Sequence, residues 1–185
     1  MTRHSRPFVV VLLLIAVALL AAACGGSTSS ENGASTSAAT PTMVPLPADV
    51  LARQMAAYTG PVGTLQTASE TLERPLNLVG ITAAAALTGG NPPCAGFVDT
   101  APDYMFDLKT DLAVLRVGFV GNDLGTVMVV TPGGTNIICT GVEGQGMTMT
   151  PSVELPQPEQ GRYLVYVGRG NMSGANTGKL TVSGQ

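Results

Sequence analysis

Residues 103–120 read DYMFDLKTDLAVLRVGFV, and this stretch decides the fold. In DYMFDL, Tyr104, Phe106 and Leu108 share one face while Asp103, Met105 and Asp107 share the other, the period-2 pattern of a half-buried strand. In the run that follows, Leu115, Val117 and Phe119 point one way and Arg116 the other. Outward from this pair the pattern persists. Extended runs are read near 63–67, 76–83, 103–108, 113–120, 126–131, 135–140, 162–168 and 177–183, with Gly, Pro, Asn and Asp turns between them. The run YLVYV at 163–167 is apolar on both faces. That suits a central strand covered on each side, or one that lends Tyr166 to a surface. About eight short strands with close turn signals indicate an all-β fold, a β-sandwich with jelly-roll or Greek-key connections, with a barrel as the alternative. One helix precedes them: Leu51, Met55 and Tyr58 fall at i, i+4 and i+7, so a short amphipathic helix is expected over 48–58, ended by Gly60-Pro61.

The chain has 185 residues and no Trp. Its first 23 residues have the layout of a signal peptide, with Arg3 and Arg6, then an apolar run, then small residues. The run ends LAAAC at residues 20–24, which resembles a bacterial lipobox, although its leucine lies one residue further from Cys24 than the usual pattern places it. Cys24 is thus the expected lipidation site; an ordinary secretion signal cut after Ala23 is the alternative. Residues 24–47 begin as a polar Gly/Ser/Thr-rich tether, expected to be disordered, with too few apolar groups to offset ordering. A lead-in with the short helix occupies 48–62, and the sandwich occupies 63–184. Beyond the signal there are seven Lys and Arg against twelve Asp and Glu. That balance, without blocks, gives no basic stripe and speaks against nucleic acid. With Cys24 lipidated, Cys94 and Cys139 remain as an even pair in an oxidising compartment. Joined, they close a long loop, worth ~4 kcal/mol in the chain-entropy model. The alternative is a pair of free thiols or metal ligands, but no histidine follows residue 4 and no CxxC pair is present.

The order CAGFVDTAPDY (94–104), LAVLRVGFVGND (112–123), GTVMVVTPGGTNIIC (125–139) and GRYLVYVGRGNMSGANTGKLTVS (161–183) resembles the bacterial pre-peptidase C-terminal (PPC) domain family, in its disulfide-bearing secreted branch. The resemblance spans roughly 63–183 and implies a jelly-roll-like sandwich. The chain departs from the family in two ways. After Cys139 it has Thr140-Gly141 where an aspartate pair is common. It also carries one copy without the protease that such domains usually accompany.

Residue chemistry narrows the function. Without histidine past residue 4, Ser-His-Asp and Cys-His catalysis are excluded. A Ser-Lys pair would need Lys109 or Lys179, both at strand ends among charged or glycine neighbours. Asp103 and Asp107 share a strand face but stand ~13 Å apart at strand rise, wider than paired-carboxylate hydrolysis uses. No cofactor is implied. Calcium has weak candidates in Asp99, Asp103 and Asp123, with no DxDxDG-type loop to assemble them. Tyr166 is the candidate ligand contact. The expected function is a non-enzymatic, exported binding or accessory module, lipid-anchored at the outer face of the cell membrane, with a polysaccharide or protein ligand. The alternatives are an assembly or chaperone-like accessory to a separate exported enzyme and, last, a small carboxylate-based hydrolase.

Overall fold

The computed structural model describes residues 45–141 and 146–185; the expectations for residues 1–23 and for Cys24 lie outside them. Two sheets face one another. The strands are β1 (Gly63–Leu65), β2 (Thr71–Leu78), β3 (Thr82–Ala83), β4 (Phe97–Val98), β5 (Tyr104–Leu108), β6 (Val114–Gly121), β7 (Gly125–Val130), β8 (Ile137–Cys139), β9 (Ser152–Pro156), β10 (Gly161–Arg169) and β11 (Asn176–Gly184). The four-stranded sheet has the order β2-β11-β6-β9. In the seven-stranded sheet β10 is the centre: β5 and β4 share one of its edges and β7 takes the other, with β1, β3 and β8 outermost. The chain crosses between sheets repeatedly, and the early strand β2 pairs antiparallel with the last, β11. The expected all-β sandwich is the observed fold, with a short N-terminal helix.

The alternating residues meet between the sheets. Phe106, Leu115, Val117, Phe119, Tyr163, Val165 and Leu180 lie in one buried cluster with essentially no exposure. Phe106 and Tyr163 stack with ring centroids 5.1 Å apart, and the Tyr163 hydroxyl donates to the Glu159 carbonyl at 2.6 Å. On the outer face of the seven-stranded sheet a second cluster forms from Met105, Met128, Val130, Leu164 and Tyr166. Helix α1 (Ala48–Ala57) covers it with Val50, Leu51 and Met55, followed by Tyr58. The i, i+4, i+7 stripe is therefore the packing face. A second helix, α2 (Ala84–Leu87), places Ala84 and Leu87 on the same cluster.

The structure corrects several boundaries. β5 is buried on both faces, because Met105 packs under α1's layer and is only 4% exposed. The run expected at 76–83 is two strands, β2 starting at Thr71 and β3 at Thr82, broken where Gly80 lies against the backbone of Val98 and Asp99. A Cβ on Gly80 would sit 2.2 Å from the Val98 carbonyl carbon, so only glycine permits that approach. β9, flanked by Pro151 and ending on Pro156, is a strand where none was expected.

Cys94 and Cys139 are joined, with Cα atoms 5.8 Å apart. The bond ties the segment before β4 to the edge strand β8, and the Ala95 amide donates to the Gly141 carbonyl at 2.8 Å beside it.

Candidate functional site

The strands of both sheets finish together at one end of the sandwich. Leu78 pairs with Asn176, Gly121 with Gly178, and Arg169 with both Phe97 and Gly125. Three connections emerge here: the β2–β3 loop, the β6–β7 turn and the β10–β11 loop. Arg169 organises two of them. Its side chain is buried, its Nε donates to the Gly80 carbonyl at 2.8 Å and its Nη2 to the Val79 carbonyl at 3.3 Å. Nη1 donates to the Gly174 carbonyl across the β10–β11 loop. Among the described residues no carboxylate pairs with this guanidinium. Asn176 holds the third connection, its Nδ2 donating to the Asp123 and Leu124 carbonyls at 3.2 and 3.3 Å. The Asn122 side-chain oxygen accepts from the Thr177 amide at 2.8 Å.

These fixed loops, the adjoining strand ends and the β8–β9 connection, whose Met149 carbonyl accepts from the Gly121 amide at 3.0 Å, carry large apolar side chains in water. Val79, Ile81, Val120, Leu124, Met149 and Met172 are exposed, from 43% at Leu124 to 71% at Ile81. Val62, beside β1, is the one exposed large hydrophobic elsewhere among the described residues. Scattered exposed apolar residues need no explanation, but their concentration at one end does. Sequence reasoning missed this end. The available signal was the arginine in VGRGN (167–171), which follows six uncharged residues, 163–168, at the end of the strand.

The residues singled out in the sequence are dispersed. Tyr166 is fully buried, so it reaches no surface. Val165 and Val167 take the inter-sheet face as expected, but the opposite face is covered by the second cluster. Burial pushes the Tyr166 phenol up, with the charge of Asp103 adding to the effect. Asp123 sits at the β6–β7 turn, where one carboxylate oxygen accepts from the Leu124 amide at 2.7 Å. Asp103 fills the gap between β5 and β4 along β10, accepting from the Val167 amide at 2.8 Å, and Asp99 adds repulsion there. No group of three or more His, Cys, Asp or Glu suited to a metal ion occurs among the described residues. Asp107 is held by Arg162 at 2.8 and 3.0 Å, and that ion pair holds its carboxyl below the usual carboxylate range. Lys109 and Lys179 face Asp107 and Glu73 at 3.8 and 2.8 Å.

Asp103 has a pH consequence. Desolvation by burial pushes its carboxyl up to about 7, against the Val167 amide, which favours the charged form. An unfolded aspartate ionises near ~3.9. Asp103 therefore gives the folded state its full benefit below that value, and the benefit is lost as pH rises to about 7. The side chain keeps some solvent contact, so the change is discounted to roughly 2 kcal/mol. Asp103→Asn keeps an oxygen for the Val167 amide and should flatten the profile. Urea unfolding of both proteins at pH 4.5 and pH 8 tests this, and parallel profiles would refute it.

Aromatic stacking, a common means of holding sugars, has little purchase here. Tyr104, Phe106, Phe119, Tyr163 and Tyr166 are all buried, and Tyr58 and Phe97 are half-buried. The edges of the four-stranded sheet are blunted against strand addition: β2 carries Glu73, Arg74 and Pro75, and β9 lies between Pro151 and Pro156.

No family model matches the chain, and no curated protein matches it. Among solved structures it is similar to Aeromonas hydrophila PliG, a periplasmic lysozyme inhibitor of g-type lysozyme, at 14% identity and a TM-score of 0.37, over 67% of this chain and 96% of that one.

Proposed function

We propose that this chain is an exported, lipid-anchored, non-catalytic module resembling PPC domains, and that it binds a protein partner through the loop end of its sandwich. The observation that carries this reading is the set of exposed aliphatic and thioether side chains on loops fixed by Arg169 and Asn176. Apolar side chains without exposed rings suit a polypeptide surface better than a sugar. Pre-fixed loops lower the ordering cost of association. The LAAAC segment at residues 20–24 supports the anchor, and the motif order over 63–183 supports the family likeness.

The test uses the full chain in its own cells, with a photo-crosslinking residue at Ile81, Leu124 or Met172, and at Arg116 or Glu154 on the outer sheet face as controls. A discrete protein adduct is expected from the loop end and none from the sheet face. Ile81→Asp with Leu124→Asp should abolish that adduct while unfolding stability stays within about 0.5 kcal/mol, since both side chains are exposed. Equal adducts from both regions, or an adduct that survives the double substitution, would refute the reading. Co-sedimentation with purified cell-wall polysaccharide that the double variant retains would favour a sugar ligand instead.

A further inference from the structure

At the helical face of the domain, away from the loop end, lies a cleft of about 420 Å³. Its walls come from Pro45, Leu46, Val50, Leu87 and Ile137, with Thr88 among the few polar residues lining it. A volume of this size lies within the range of small-ligand pockets. The walls are aliphatic and prolyl, with no ring to stack on a planar ligand. Their fit is to a flexible hydrocarbon chain. The Gly89 rim is open, since a Cβ there would meet nothing within 4 Å. One wall is α1, which has ten residues and no side-chain N-cap. An isolated helix of that length is marginal in water, so α1 holds its place through packing on the sheet and can yield to a guest.

The position of the cleft says which hydrocarbon it meets. Pro45, Leu46 and Pro47 line it, and they are the residues through which the chain arrives from Cys24, twenty-one positions before Pro45. Twenty-one residues span at most about 75 Å when fully extended. Given the anchor expected at Cys24, the cleft cannot lie further than that from the bilayer. We infer that the cleft binds one acyl chain of a free single-chain membrane lipid, such as a fatty acid. The chain's own anchor is the alternative occupant. Either source gives up about 0.8 kcal/mol per CH₂ on leaving the bilayer, but withdrawing an anchor chain also leaves the protein held by fewer chains, whereas a free lipid leaves the anchor whole.

The test is equilibrium dialysis of labelled palmitate, below its micelle concentration, against the full-length exported chain carrying Cys24→Ser. Saturable binding of one palmitate per chain is expected. Ala86→Trp, which fills the cleft from an exposed position, should weaken it at least tenfold without lowering the unfolding midpoint. Leu124→Asp, at the loop end, should leave it unchanged. The lipidated wild-type chain should bind palmitate as the Cys24→Ser chain does. Absence of saturable binding, or undiminished binding by Ala86→Trp, would overturn the site. Binding by the Cys24→Ser chain but not by the lipidated one would overturn the free-lipid source in favour of the anchor. The loop-end crosslinks report separately, so failure of one reading leaves the other standing.

Discussion

Removing the Cys94–Cys139 bond, by reduction or by Cys94→Ser with Cys139→Ala, should lower the unfolding free energy by about 4 kcal/mol. Its sequence separation of 45 residues makes the constraint on the unfolded chain large. The folded state also loses a local tie. β8 has three residues and pairs with β7 alone, so without the bond this edge depends on Ile137, half-buried Ile138 and the Thr140–Val127 backbone bond of 2.9 Å. Cys94 itself is buried in the cluster beneath α1, so the loss should spread to the helical face. The thermal midpoint should fall on the order of 10–15 °C, and amides of β8 and β4 should exchange before those of β10. Calorimetry with and without reductant, joined to hydrogen exchange, reads both effects. An unchanged midpoint would mean that the sheets hold this edge unaided.

The sequence made the inter-sheet core legible because period-2 alternation is a local property: Leu115, Val117 and Phe119 needed no partner to be assigned. It hid what depends on coverage. Met105 alternates onto the face assigned to solvent, yet α1's layer lies over that face, so β5 is an interior strand. β2 was half hidden, since Pro75 with Glu73 and Arg74 reads as a break. Proline is tolerated there because β2 is an edge strand, bonded on one side to β11 alone. β9 escaped because Val153 and Leu155 are only two alternating apolar residues between prolines. Tyr166 failed as a ligand contact for the same reason that Met105 failed as a surface residue. The cysteine pair was legible by counting, because it depends on compartment and parity more than on geometry. The loop end was not legible, since its three connections are far apart in sequence and meet only when both sheets finish together.

Arg169→Met should be the most costly single substitution at that end, destabilising by about 2–4 kcal/mol. The methionine side chain fills the space of the stem but leaves the Val79, Gly80 and Gly174 carbonyls without their donors. The Gly80 carbonyl, in a buried bond, costs roughly 1–3 kcal/mol when so deprived, while those of Val79 and Gly174 lie in part-buried bonds where water recovers much of the loss. Arg169→Lys retains the charge, but a single ammonium cannot present the planar fork that reaches two loops at once. About half the loss should remain. The effect on binding should exceed the effect on folding. The exposed side chains of Ile81 and Met172 are presented by the backbone that Arg169 pins, so their loops should become mobile in a domain whose core is intact. Hydrogen exchange at 79–81 and 170–175 should quicken in Arg169→Lys while β6 and β11 stay protected, and crosslinking from Ile81 should fall in parallel. Faster exchange with undiminished crosslinking would show that the partner grips these side chains without needing the loops fixed. A stability loss under about 1 kcal/mol in Arg169→Met would show that the three carbonyls find water instead. The arginine would then be a bystander to the loop end, with no part in recognition.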